Sequence, residues 1–82
     1  MNNFSIIGKC KNINKIDSNN FIMNIITSST KNKEILIPIR ILKSTYLNKI
    51  KENDLIGVHG TIDVQDSNIL FFATKIIWLK SE

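Results

Sequence analysis

The chain of 82 residues is poor in the side chains that do chemistry or lock small folds. It has one cysteine (Cys10), one histidine (His59), one proline (Pro38), three glycines and few aromatics, at 7%. A single cysteine excludes an internal disulfide, and a single histidine without cysteine partners excludes zinc ligation at the usual spacings. There is no nucleophile–histidine–acid set, no carboxylate pair with a reason to converge and no glycine-rich phosphate loop, so neither an enzyme nor a small-molecule cofactor is expected. No apolar run approaches the ~20 residues that cross a bilayer. The opening MNNFSIIGKC lacks a basic segment followed by a long apolar one, so the expectation is a cytoplasmic protein without a membrane partner.

What is abundant is isoleucine, lysine and asparagine. The net charge of +4 is unevenly spread. Residues 1–52 hold nine Lys or Arg and three acids, a balance of +6, while residues 53–82 hold two Lys and four acids, a balance of −2. A basic half can meet phosphates, or it can be an ordinary solvated lysine surface. The length allows one domain, residues 1–82, burying only about 60–65% of its extended surface. With no disulfide or metal to help, association is the expected source of added stability.

Apolar periodicity marks five strands. The first runs from Phe4 to Ile13, with Gly8 inside it as a candidate bend. Asp17-Ser18-Asn19-Asn20 is a turn cluster. Strands follow at Phe21–Thr27 and, after a polar basic loop from Ser28 to Lys33, at Glu34–Ile41, where Pro38 demands an edge, a bulge or the opening of a barrel. The period then changes. Ser44 to Lys51 suits a short helix with Ser44 as N-cap and Tyr46, Leu47 and Ile50 on one stripe. Leu55–Val64 and Ile69–Leu79, joined by a tight turn at Gln65–Asn68, complete the set. The predicted fold is therefore all-β: a five-stranded OB-fold barrel with one short helix between strands 3 and 4.

The strands also resemble, in order, those of bacterial single-stranded DNA-binding proteins. Asn3-Phe4-Ser5-Ile6-Ile7-Gly8-Lys9 is similar to the family's first strand and Asn24-Ile25-Ile26-Thr27 to its second. Ile35 to Ile41 is similar to its aliphatic third strand. Asp54-Leu55-Ile56-Gly57-Val58-His59-Gly60-Thr61-Ile62 resembles the fourth, and Ile76-Ile77-Trp78-Leu79 the last. There are departures. The loop between strands 2 and 3 is short, and the family's aromatic positions fall near Lys33, Ile39 and Gln65. No acidic tail follows Lys80-Ser81-Glu82. In size the chain is closer to the primosomal replication proteins, dimeric relatives of the same fold, or to a reduced form from a phage or mobile element.

The resemblance implies non-catalytic, largely sequence-independent binding of single-stranded DNA in replication, recombination, repair or plasmid and phage maintenance, with replication proteins as further partners. Such binding needs cations for phosphates and flat side chains for bases. The candidate cations are Lys9, Lys11, Lys31, Lys33, Arg40, Lys43 and Lys75. Phe72 and Trp78 are the candidate stacking residues. Phe71 and Phe72 are adjacent and point to opposite faces, while Trp78, an even number of residues from Phe72, is expected to share its face. That face is a short aromatic platform if outward and simply core if inward. Cys10 reads as a small buried hydrophobe, and His59 as an exposed or interface residue opposite in direction to Val58. Ile35-Leu36-Ile37-Pro38-Ile39 and Ile69-Leu70-Phe71-Phe72-Ala73 are apolar on both faces, which points to cover by further copies in a homodimer or homotetramer. Two other functions fit the same barrel: a degenerate OB-fold protein–protein interaction module, and a single-stranded RNA binder.

Overall fold

The computed structural model describes residues 2–28, 33–42 and 45–82. The candidate cations Lys31 and Lys43, the expected cap Ser44 and the side chain of Tyr46 lie outside this description. Five strands, β1 (Asn3–Lys15), β2 (Asn20–Ser28), β3 (Glu34–Leu42), β4 (Leu55–Gln65) and β5 (Asn68–Lys80), close into a barrel in the order β1-β2-β3-β5-β4. This is the expected OB-fold. Between β3 and β4 the short helix is a single 3₁₀ turn, Thr45–Asn48. It is shorter than the periodicity suggested, but Leu47 and Ile50 still enter the core.

Closure depends on β1 belonging to two ladders. Its first half, Asn3 to Lys9, pairs with Thr61 to Leu55 of β4, and its second half, Lys9 to Lys15, pairs with Ile26 to Phe21 of β2. Gly8 sits at the changeover. A Cβ there would lie 2.5 Å from the carbonyl oxygen of Ile26 and 2.6 Å from the Ile25 side chain, so only glycine lets the strand turn so close to its neighbour. Gly60 has the same role on β4, where an added Cβ would land on the carbonyl oxygen of Phe72 and against the Phe4 ring.

Two of the three register shifts in the ladders, those at Lys11 and Thr74, decide which side chains face inward along most of β1 and β5. Opposite Ile25 and Asn24 of β2 stand Cys10 and Asn12, so Lys11 is an extra residue on β1. Opposite Gly60 and His59 stand Ala73 and Lys75, so Thr74 is an extra residue on β5, and its hydroxyl donates to the His59 carbonyl at 3.1 Å. A bulge reverses the in–out alternation beyond it. Phe71 and Ala73 therefore point inward before the second bulge, and Ile76 does so after it. Met23, Ile25, Ile39, Ile56 and Val58, all fully buried, fill the centre. Phe4 meets Phe71 edge to face, with centroids 5.2 Å apart.

The remaining ends are fixed by polar chemistry. The β4–β5 hairpin turns through Asp66 and Ser67, both at positive φ (51° and 67°), as a two-residue connection requires. The loop before β4 is sewn to β1: the Cys10 amide donates to the Asp54 carbonyl, and the Asn53 amide donates to the Cys10 carbonyl. The buried Asp54 carboxylate accepts from the Lys51 amide at 2.9 Å and the Glu82 amide at 3.4 Å. Pro38 is tolerated because β3 meets β5 at a single bridge, Arg40 with Phe72, which leaves most of that edge without a ladder.

Gly60→Ala should cost about 1–3 kcal/mol or more in chemical denaturation, because the added methyl collides with backbone. Gly57→Ala should change stability by less than about 1 kcal/mol, since its methyl would meet Leu79, Ile7 and Ile77 at 3.8–4.0 Å, ordinary contact distances.

Candidate nucleic-acid interface

The strand registers sort the exposed side chains onto two outer faces. On the first, rows run across β1, β2 and β3. Lys9 lies beside Ile26 and Leu36, Asn12 beside Asn24 and Pro38, and Asn14 beside Ile22 and Arg40. The Arg40 row continues onto β5 at Phe72. The Arg40 guanidinium carbon lies 6.0 Å from the Phe72 ring centroid, at the limit of a cation–π contact. Beside this pair opens a groove of about 330 Å³, bounded by Ile16 and Asp17 of the β1–β2 loop, Asn20 at the start of β2 and Leu42 of β3. The face of strands 2 and 3, with the loop between strands 1 and 2, is where OB-folds hold oligonucleotides.

The groove's loop is rigidified by one carboxylate. Asp17 Oδ1 accepts from the backbone amides of Asn19 and Asn20, both at 2.9 Å, and from the Asn20 side-chain amide at 2.9 Å. These bonds, the Asn19 amide first and the Asn20 side chain next, hold the Asp17 carboxyl below the ordinary aspartate range. The strands beside the loop carry Lys9, Lys11 and Arg40, so Asp17 and, at the far margin, Glu34 leave the centre of the face cationic and amide-lined.

The second outer face, across β1, β4 and β5, carries an apolar row beside a polar one, Ser5, His59 and Lys75. Ile7, Gly57 and Ile77 form one row, with Leu79 beside them; Ile7 is 63% exposed. Gly57 contributes no side chain, so the row is shallow and flanked by hydrocarbon. At its edge the Ser5 hydroxyl and His59 Nδ1 are hydrogen bonded at 2.6 Å. Cys10 lies inside the barrel, where burial first, and the Asp54 and Glu52 carboxylates second, push its thiol up and away from reactivity.

The sequence candidates separate accordingly. Lys9, Lys11, Arg40 and Phe72 come together on the first face or its margin, and Lys33 is exposed just before β3. Lys75 is elsewhere: it pairs with His59 on the second face. Trp78 does not share a face with Phe72. Phe72 lies opposite Thr61 and points outward, whereas Trp78 lies opposite buried Ile56 near the start of β4 and is 50% exposed. The bulge at Thr74 removes the parity on which the shared face depended, so no platform forms between them. The three asparagines of the first face were missed as candidates. The signal available was the spacing of Cys10 and Ile13: two core residues three apart on a strand require an extra residue between them.

No protein-family model matches the sequence, and no curated protein matches it. Solved structures do. The dimeric N-terminal domain of PriB from Thermoanaerobacter tencongensis is similar at a TM-score of 0.72 and 13% identity, covering 98% of each chain. Rim1, a mitochondrial single-stranded DNA-binding protein from S. cerevisiae, is similar at 0.77 and 12% identity, covering 98% of this chain and 96% of that one. The small single-stranded DNA-binding protein from Streptomyces coelicolor is similar at 0.54 and 11%, over 94% and 93% of the two chains. These likenesses show the OB-fold over nearly the whole chain.

The Asp17 bonds carry a pH dependence. Their contribution is complete above the ordinary aspartate value and is lost as pH falls through the lowered one. Asp17→Ala should therefore lower the melting temperature at neutral pH, with the gap to wild type closing in strong acid. Carboxyl NMR titration should place Asp17 below an ordinary aspartate; an unshifted titration contradicts the turn's role.

Proposed function

We propose that this chain is a single-domain, non-catalytic binder of single-stranded DNA, serving replication, recombination, repair or plasmid and phage maintenance without strong sequence choice. The observation that carries the reading is the Arg40–Phe72 pair, set beside an open groove on the face where OB-folds hold oligonucleotides. The pair offers a base a flat ring and offers the neighbouring phosphate a guanidinium, and Lys9 and Lys11 extend the cationic track along β1. The solved structures of similar fold include proteins named for single-stranded DNA binding, which supports the same ligand.

The second outer face is assigned to another copy of the chain, giving a homodimer or homotetramer. Ile7, Ile77 and Leu79 around Gly57 make a hydrocarbon surface facing away from the groove, so association through it leaves the nucleic-acid face open. A dimeric domain is among the similar structures.

Fluorescence anisotropy with labelled dT oligomers, a matched RNA and a duplex, over a salt series, tests the ligand. Single-stranded DNA should bind best, with affinity falling steeply as salt rises. Phe72→Leu should weaken binding by about tenfold, within the ~1–3 kcal/mol that one stacked base contributes, and Arg40→Ala should also reduce the salt slope by about one. No binding at low salt would hand the chain to the protein–protein reading, and stronger binding to RNA would change the ligand. Light scattering tests the assembly. The wild type should be a dimer or tetramer at micromolar concentration and Ile77→Asp a monomer; a monomeric wild type contradicts it.

A further inference from the structure

The bulge at Lys11 does more than bend β1. In an unbroken strand Asn12 would follow Cys10 into the core and Ile13 would point to solvent. The extra residue reverses this, seating Ile13 against the core and turning Asn12 onto the outer face opposite Asn24. Bulges are a common device for re-aiming a side chain next to a functional surface. Here the re-aimed residue becomes the centre of an amide cluster. Asn12 Oδ1 accepts from Asn24 Nδ2 at 2.7 Å and from Asn14 Nδ2 at 3.4 Å.

This arrangement leaves a particular set of groups pointing outward. Asn12 has spent its oxygen, so its own NH₂ donates to nothing among the described residues, and the carbonyl oxygens of Asn14 and Asn24 likewise accept no bond there. The cluster therefore holds one amide donor and two carbonyl acceptors that have no partner among the described residues. Phosphates need donors only, so the carbonyls are no use to a backbone track. Nucleobase edges carry donors and acceptors side by side, which is what an asparagine amide complements. Asn14 shares the row of Arg40, the partner of Phe72, and Asn12 and Asn24 lie in the next row, between that pair and Lys9. A strand whose base stacks on Phe72 would carry a neighbouring base over the amides.

We infer that Asn12, Asn14 and Asn24 form a base-reading site, in which side-chain amides hydrogen-bond the edges of unpaired bases and make affinity depend on base composition. The inference rests on the single-strand reading above and adds to it: stacking tolerates every base, whereas hydrogen bonding does not. Where stacking side chains are few, edge contacts carry a larger share of the grip on the bases, while the cations still act on any sequence.

The test uses the full chain and dT-rich oligonucleotides of one length in which every third T is replaced by A, C or G. Wild type should spread the four affinities by at least about tenfold between best and worst, the discrimination expected of one good amide–base pairing. In N12A and N24T the spread should collapse while the salt slope is unchanged, because the phosphate contacts remain. Asn14→Ala, at an exposed site held by the longer bond, provides a variant that keeps its fold if either of the others melts early, and it should narrow the spread in part. Four affinities that differ no more than the modest preferences stacking alone produces would overturn the inference, as would a spread that survives all three substitutions. An asparagine cluster that merely ties β1 to β2 would lower the melting temperature and leave the spread intact. If none of the oligonucleotides binds, the failure is of the single-strand reading itself, which the same titration shows.

Discussion

One strand must serve both ends of a single sheet, and the rest of the molecule follows from how β1 manages it. Its first half is bonded to β4 and its second half to β2, so it has to bend sharply while keeping both ladders. Gly8 permits the bend because nothing larger than hydrogen fits against the Ile26 carbonyl. A barrel this small has no spare core to absorb a misplacement, since its centre is a handful of fully buried aliphatic side chains and Met23. The bulges at Lys11 and Thr74 are the other half of the solution. They let strands of 13 residues each curve around the core while returning Ile13 and Ile76 to it.

Much of this architecture was legible in the sequence. Five strands fell within two residues of their observed ends, because alternation and turn residues act locally. Gly8, Pro38, the Asp17 turn and the Gln65–Asn68 hairpin were readable for the same reason, as each is set by backbone sterics or by a side chain bonding its own neighbours. The helix was overcalled in length because Leu47 and Ile50, three apart, satisfy a 3₁₀ turn as well as an α-helix. The site was less legible. Phe72 and Trp78 were expected on one face by counting residues, and a single extra residue at Thr74 invalidated the count. Asn12 was invisible as a surface group for the converse reason, since its direction is set by the bulge beside it. Both bulges are set by the register between two paired strands, β1 with β2 and β4 with β5, and not by alternation along one strand, so parity arguments fail beyond them.

The two outer faces have different chemistry, and the difference assigns their roles. Across β1, β2 and β3 amides and cations stand among exposed hydrocarbon such as Leu36 and Leu42, beside a groove with one half-buried ring. Across β1, β4 and β5 a hydrocarbon patch around Gly57 adjoins the Ser5–His59–Lys75 row. Charge acts at long range and on any strand, so Lys9, Lys11 and Arg40 would set encounter rate and salt dependence. Phe72 and the asparagines act only in contact, and would set the residual preference among strands. Of the acids of the second half, Asp63 and Asp66 lie at or beside the β4–β5 hairpin, whereas Asp54 is buried beside Cys10 and Glu82 lines a recess with Lys9.

In the proposed complex nucleic acid occupies the amide- and Arg40-bearing face and not the face around Gly57. Backbone amide chemical shifts recorded while a dT oligomer is titrated into the protein test it directly. The largest changes should fall on Asn12, Asn14, Asn24, Arg40 and Phe72 and on the Asp17 loop. Changes concentrated instead on Ile7, Gly57, Ile77 and Leu79 would contradict it.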